Sequence, residues 1–256
     1  MPRSPSVPHT LARLLLVGLA LALAGGALGL LYERSWLGAD AAAARAVVAA
    51  DVQAQFAAIT ARLRAATAAA TEDPEAIPRA ASGGPAAVAA LFALAERASP
   101  AGSGVALTLY GADGAPLAWS GRPSVLPVTR VTGPAALFMV PSPIGPWLVN
   151  VDPVVDGAGR RVGSVAAEIA LPLGQLRVGS DAEAYELPTA VVPVQLRPYT
   201  GSLPAGTPGA IVVTAPESGA PLAVIDVPDE ALDAARGRWR ARLWGAAAAG
   251  AALILL

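Results

Sequence analysis

The stretch WLVNVDPVVDGAGRRVGSVAAEIAL, residues 147–171, decides how the centre of this chain folds. Two apolar runs flank the segment Asp156-Gly157-Ala158-Gly159, and glycine accepts the positive φ that a tight turn needs. In the second run the larger apolar residues alternate with Ala166, Glu168 and Ala170, a period of two that is typical of a strand with one buried face. The stretch therefore predicts a β-hairpin, in which Pro153 marks a bulge or an edge position.

The same pattern recurs on both sides of this hairpin. Glycine-containing turns at residues 113–114 and 217–219 each lie between apolar runs. Residues 134–140 supply a further strand, and the proline-rich residues 173–208 predict short strands mixed with loops. The two additional hairpins pair Val105–Tyr110 with Pro116–Ser120, and Ile211–Ala215 with Pro221–Val227.

Helices precede the strands. Residues 35–71 contain no proline and only one glycine, Gly38, and predict one long helix. Its larger apolar residues form one helical stripe, which packs either on a sheet or against the same helix of a second copy. A linker over residues 72–85 and a shorter helix over residues 86–98 follow. The stripe consists of Val48, Val52, Phe56, Ile59 and Leu63.

Apolar runs lie near both ends of the chain. Residues 11–31 are long enough to cross a bilayer, which takes about 20 apolar residues, and residues 243–256 begin a second such run. The predicted fold class is α+β, with a transmembrane helix, a long N-terminal helix, an antiparallel sheet and the start of a second transmembrane helix. The predicted divisions are a cytoplasmic tail (1–10), a transmembrane helix (11–32), a long helix with its linker (33–83), an extracytoplasmic domain (84–228), a juxtamembrane helix (229–242) and a truncated second transmembrane helix (243–256).

Charge predicts the orientation. Arg3 and Arg13 flank the first apolar run, so the positive-inside rule places the N-terminus in the cytoplasm and the central domain outside it. A cleaved signal peptide, with residues 22–24 (Ala-Leu-Ala) as the cleavage site, is the alternative. Four arginines conflict with this orientation, because they precede the second run on the side predicted to be outside. They are Arg236, Arg238, Arg240 and Arg242.

Composition excludes several functions. The formal net charge is -1, which leaves no electrostatic footprint for nucleic acid. The chain has no cysteine, and its single histidine is His9, so disulfides, thiolate metal sites, multi-histidine zinc sites and Ser-His-Asp nucleophiles are excluded. Without lysine there is no Walker A motif. We predict no catalytic residues, metal or cofactor in the chain, and leave open whether the full-length protein is an enzyme.

Two stretches resemble a known family. Residues 107–119, LTLYGADGAPLAW, resemble the first hairpin of a PAS-like sheet, and residues 149–165, VNVDPVVDGAGRRVGSV, resemble its later hairpin. Over residues 35–228 the chain is similar to the extracytoplasmic Cache sensor domains of bacterial histidine kinases and chemoreceptors. The Arg-x-Trp-Tyr segment of amino-acid-binding Cache domains is absent, so that ligand chemistry is not carried over.

The resemblance implies a ligand site between the sheet and the segments over it, where an apolar pocket holds a few polar groups. Arg122 or Arg130 would bind a carboxylate through a bidentate pair, and Trp119 would form a wall. Other interpretations are that Trp119 is core, that Arg122 is a solvated loop residue, and that one strand face is simply exposed. The candidate ligand residues are Tyr110, Trp119, Arg122, Arg130, Asn150 and Asp152.

The sequence thus predicts the extracytoplasmic sensor region of a two-component histidine kinase in a bacterial inner membrane. It would act as a homodimer and relay a small-molecule or protein signal through two membrane helices to a kinase beyond Leu256. One alternative is a structural or assembly protein of the cell envelope with a periplasmic β domain. Another is the sensor region of a chemoreceptor or of a cyclic-dinucleotide enzyme. A periplasmic hydrolase is weakly supported, because no nucleophile and base can be assembled with His9 alone.

Overall fold

The computed structural model describes residues 7–142, 145–171, 184–199, 201 and 209–254. The chain divides into two compact units. The first contains residues 1–51, 189–193 and 227–256, and the second contains residues 52–188 and 194–226. The helices are α1 (Val7–Leu37), α2 (Ala41–Ala70), α3 (Ala76–Ala81), α4 (Pro85–Ala98), α5 (Val128–Val131) and α6 (Asp229–Ile254). The strands are β1 (Val105–Gly111), β2 (Pro116–Ser120), β3 (Ala136–Val140), β4 (Trp147–Val155), β5 (Arg161–Ala170), β6 (Tyr185–Leu187), β7 (Val194–Pro198), β8 (Ile211–Thr214) and β9 (Pro221–Asp226).

The first unit is built on α1 and α6. Within α1, Leu16–Leu37 is long and apolar enough to cross a membrane, by length and composition, and a signal sequence has the same properties. Among the described residues no second helix meets that condition. The predicted helix over residues 229–242 is present and continues into the apolar run as far as Ile254. A second membrane span there stays a prediction.

The prediction of one continuous helix over residues 35–71 is wrong, because the helix breaks at Gly38. Its φ is +72°, and a Cβ there would lie 2.5 Å from the Cβ of Ala43, so only glycine fits this corner. Asp40 then caps the next helix, since its Oδ1 accepts the Ala43 N–H at 2.8 Å. We call residues 38–40 the elbow, where α1 ends and α2 begins.

The second unit contains a five-stranded antiparallel sheet in the order β2-β1-β5-β4-β3. The first two predicted hairpins are its β1–β2 and β4–β5 pairs, and the predicted strand at residues 134–140 is β3. Gly114 and Gly159 have φ of +83° and +77° in the connecting turns, as the turn chemistry predicts. Strand β1 pairs with β5, so the two hairpins lie side by side in one sheet.

Pro153 occupies the kind of position that the sequence predicted. Strand β3 pairs with β4 only as far as Val151, so Pro153 faces no strand on that side and pairs only through β5. A register shift follows between Val154 and Val155. A residue without an N–H is tolerated at such an edge, next to a bulge.

The third predicted hairpin, β8–β9, belongs to a separate four-stranded sheet in the order β6-β7-β9-β8. The sequence predicted a single sheet, which is wrong. Strand β7 pairs with β9 and draws the third hairpin into the second sheet. Strands β6 and β7 come from the proline-rich residues 173–208, of which residues 172–183, 200 and 202–208 lie outside the described part.

The helices of the second unit bury apolar side chains. From the predicted stripe, Val52, Phe56 and Leu63 are fully buried, and α4 confirms the predicted helix at residues 86–98. Helix α3 lies inside the predicted linker and buries Ile77 against the five-stranded sheet, close to Gly163.

The opposite face of this sheet lies under residues 121–135, the connection from β2 to β3. Leu126 and Val131 from this connection pack with Tyr110, Val149 and Val151 in one apolar cluster. We call this the loop face, and the face toward α3 the helix face.

Candidate functional site

Three polar side chains meet on the helix face of the five-stranded sheet. Asn150 and Asp152 are two residues apart on β4, so both point to the same face. Thr67 of α2 donates its hydroxyl to Asp152 Oδ2 at 2.6 Å. The amide of Asn150 donates to the same oxygen at 2.7 Å and lies 3.3 Å from the Thr67 hydroxyl oxygen.

Burial makes this network costly to disrupt. Asn150 is 3% exposed and Thr67 is 1% exposed, while Asp152 is half-buried. Buried polar groups lose the free energy of hydration unless they are hydrogen-bonded, so the contacts among these three side chains offset the cost of burying Asn150 and Thr67. The network attaches β4 to α2 through side chains that are more than eighty residues apart in the chain.

A cleft of about 780 Å³ opens beside this network. Its walls come from one side of α2, from β3 and β4, and from the turn between β8 and β9. At the rim, Arg64 of α2 forms an ion pair with Glu217 of that turn. The polar groups that line the cleft are Arg64, Thr67, Thr71, Asn150, Asp152, Glu217 and Ser218.

The cleft has the chemistry of a site for a small polar molecule. Among the described residues, Asp152 uses Oδ2 for both of its hydrogen bonds and Oδ1 for none, so Oδ1 is free to accept from a ligand. Arg64 and Glu217 offer one charge of each sign at the rim, and their exposed pairing contributes little stability by itself. No three Asp, Glu or His side chains converge as a metal ion requires within the described part of the chain.

Of the six predicted ligand residues, only Asn150 and Asp152 come together. Tyr110 lies on the loop face, inside the apolar cluster. Burial raises the pKa of its phenol, and the charge of nearby Glu168 raises that pKa further. Trp119 is 49% exposed on the edge strand β2 and meets the ring of Phe92 edge-on, with 5.0 Å between centroids.

The two predicted arginines lie apart from the cleft and from each other. Arg122 is exposed and lines a shallow recess of about 300 Å³ that Trp147 also borders. Arg130 is exposed and stacks over the ring of Phe138, with 4.8 Å from its Cζ to the ring centroid. It lines a recess of about 480 Å³. Arg122 and Arg130 therefore lie at separate surfaces, whereas the sequence predicted that they share one pocket with Asn150 and Asp152.

Sequence reasoning missed Glu168, which is fully buried on the loop face. Ser124 of the covering connection donates its N–H to Glu168 Oε2 at 3.1 Å, and its hydroxyl donates to the same oxygen. Oε1 is buried and has no hydrogen-bond partner among the described residues. Burial raises the pKa of Glu168, against the opposing effect of the two Ser124 hydrogen bonds.

The alternation around Glu168 suggested an exposed face, but both faces of β5 are buried because residues 121–135 cover the second one. Thr67 was also missed as a site residue. The only available signal was its place, four residues after Leu63, close to the apolar stripe of α2.

No protein-family model, curated protein or solved structure matches this chain.

Proposed function

We propose that this chain is the extracytoplasmic sensory region of a bacterial membrane receptor, of the two-component histidine kinase class. The observation that carries the proposal is the order of the five-stranded sheet, β2-β1-β5-β4-β3, all antiparallel. A long connection between β2 and β3 covers one face, and helices cover the other. This arrangement resembles PAS-like domains, as do the two quoted hairpin sequences.

The signal site in this proposal is the cleft beside Asp152. A bound molecule there would touch Arg64 and Thr67, which lie three residues apart on one side of α2, and Thr71, which directly follows the last residue of that helix. Ligand contact with α2 matters because this helix follows directly on the elbow and α1. A ligand shifts a conformational equilibrium only by its differential affinity for the two states, and a helix in direct contact provides that difference.

The membrane part of the proposal uses both ends of the chain. The apolar helix Leu16–Leu37 is compatible with a membrane anchor. We propose that it stays uncleaved, with its N-terminus in the cytoplasm, and that the run from Leu243 begins a second span. The region would function as a homodimer in a bacterial inner membrane and report to a kinase encoded after Leu256.

One observation favours a second candidate, an assembly protein of the cell envelope. The loop face, where PAS-like domains hold their ligands, is filled by its own side chains, including Val149, Val151 and Tyr110. The recesses at Arg122 and Arg130 are open to solvent and suit a protein surface as well as a small molecule. In this alternative the β domain binds protein partners and no catalytic domain follows.

The coding sequence after Leu256 tests the proposal most cheaply. We expect the second apolar run to be completed, then a histidine-bearing dimerisation helix and an ATP-binding domain. A methyl-accepting coiled coil or a cyclic-dinucleotide synthase domain would keep the sensory role and change the output. A stop codon directly after Leu256 would contradict the receptor and favour the assembly protein.

A further inference from the structure

The four arginines of α6 divide into two pairs with different surroundings. Residues four apart lie on the same side of a helix, so Arg236 goes with Arg240 and Arg238 goes with Arg242. Arg236 and Arg240 bind groups of α1 and the elbow. Arg238 and Arg242 are exposed, as is the side chain of Arg240 (54%), but the described part of the chain shows no such contact for either Arg238 or Arg242. Half of the positive charge that conflicted with the predicted orientation therefore has partners within the first unit.

Arg240 makes a two-point contact with a buried carboxylate. Its Nη2 lies 2.8 Å from Glu33 Oε1, and its Nε lies 3.0 Å from Oε2. The side chain of Glu33 is only 5% exposed. Such fork-to-fork pairs are short, strong and directional, so they hold both distance and orientation. One turn earlier on α6, Arg236 Nη2 donates to the carbonyl of Asp40 at 2.6 Å and thus binds the elbow.

Aromatic and glycine contacts belong to the same interface between α1 and α6, at Trp239 next to Arg240 and at Leu243 on the C-terminal side of Arg240. The ring of Trp239 lies 5.4 Å from that of Tyr32 and 6.0 Å from that of Trp36. Its indole N–H points to the carbonyl of Gly29 at 3.4 Å. A Cβ on Gly29 would lie 2.4 Å from the Leu243 side chain, so this glycine permits the close approach of the two helices.

This geometry tolerates only one axial position. Sliding α6 along α1 by one turn moves it about 5.4 Å, which is farther than any of these hydrogen bonds can reach. Glu33 would then lie buried without Arg240, and an unpaired buried charge is strongly unfavourable.

We propose that Glu33, Arg236 and Arg240 form an ionic latch that fixes α6 in a single register against α1, and that opening this latch is the conformational step through which the external domain reports. The latch is a contact within the first unit. Its reporting role rests on the function proposed above.

Residues 1–256 contain no cysteine, so a pair of cysteines introduced there allows a direct test by disulfide crosslinking. An ideal Cβ on Gly29 lies 2.9 Å from Leu243 Cγ, so a Gly29→Cys/Leu243→Cys pair has Cβ atoms within bonding range. A second pair, Gly29→Cys/Ala247→Cys, is placed in a Leu243→Ala background so that the cysteine at position 29 does not clash with Leu243, and it becomes close only when α6 slips by one turn. Crosslinking rates of both pairs would be measured in membranes with a mild oxidant.

Glu33→Gln and Arg240→Gln should each lower the rate of the first pair about tenfold, as expected for an interhelical contact of this kind, and should raise that of the second. The exchange Glu33→Arg with Arg240→Glu should restore the first pair, which distinguishes the latch from a failure to fold. Arg242→Gln is the matched control and should change neither rate. Equal rates in all variants would overturn the latch. A latch confirmed in a chain with no output domain after Leu256 would instead refute only its reporting role.

Discussion

Replacing Gly163 by alanine should strongly destabilise the second unit. A Cβ at Gly163 would lie 2.3 Å from the carbonyl oxygen of Tyr110 and 2.8 Å from Cγ2 of Ile77. The first contact is with the backbone of the adjacent strand, which the sheet hydrogen bonds hold in place. Forcing an extra methyl group into a packed site costs typically 1–3 kcal/mol. Because the nearest atom cannot rotate away, we expect about 3 kcal/mol.

The assay is thermal unfolding of the full chain in detergent, followed by circular dichroism. For a unit of about 150–250 residues each kcal/mol lowers Tm by about 2–4 °C, so Gly163→Ala should lower Tm by about 6–12 °C. Gly157→Ala is the matched control, because it lies in the turn of the same hairpin and a Cβ there meets nothing within 4 Å. Equal Tm values for the two variants would refute the close packing of β5 against β1 and α3.

Two further predictions concern buried polar groups. Burial raises the pKa of Glu168 in the folded chain. The contribution of Glu168 to stability is therefore fully present below the pKa of an ordinary glutamic acid side chain, about 4.3. It is lost as the pH rises through the raised pKa of the folded chain. Glu168→Gln should therefore flatten the decline in Tm between acid and neutral pH, and an unchanged pH profile would show that Glu168 does not titrate in this way. Thr67→Val removes the hydroxyl group that donates a hydrogen bond to Asp152. It should lower the free energy of unfolding by about 1–2 kcal/mol in urea titrations. Thr71→Val should have a smaller effect, because within the described part of the chain the Thr71 hydroxyl donates only to the carbonyl of Ala68, and equal losses would argue against the Thr67–Asp152 contact.

Local chemistry predicted the hairpins well. Gly114 and Gly159 supply the positive φ of two turns, and such a signal needs no knowledge of distant residues. The same reasoning failed at Gly38, where the surrounding alanines favour a helix while the glycine permits a corner. Assignment of the third hairpin to a second sheet depends on strand β7, which the proline-rich segment conceals.

The candidate site was predictable only in part. Asn150 and Asp152 stand out as polar residues on one side of an apolar strand, and they do line the cleft. Thr67 comes from a helix more than eighty residues earlier, and no local pattern links it to Asp152. Glu168 is similar, because its partner Ser124 lies in a connection whose path over the sheet depends on long-range packing.

Labelling of single introduced cysteines tests the central claim most directly, namely that the β domain lies outside the cytoplasmic membrane on a retained N-terminal anchor. Ala158 is exposed in the turn between β4 and β5, and Ser4 lies in the N-terminal tail. In spheroplasts exposed to a membrane-impermeant maleimide, we expect Ala158→Cys to be labelled at once and Ser4→Cys only after lysis. Protection of Ala158→Cys until lysis, with Ser4→Cys reacting in intact spheroplasts, would contradict the account.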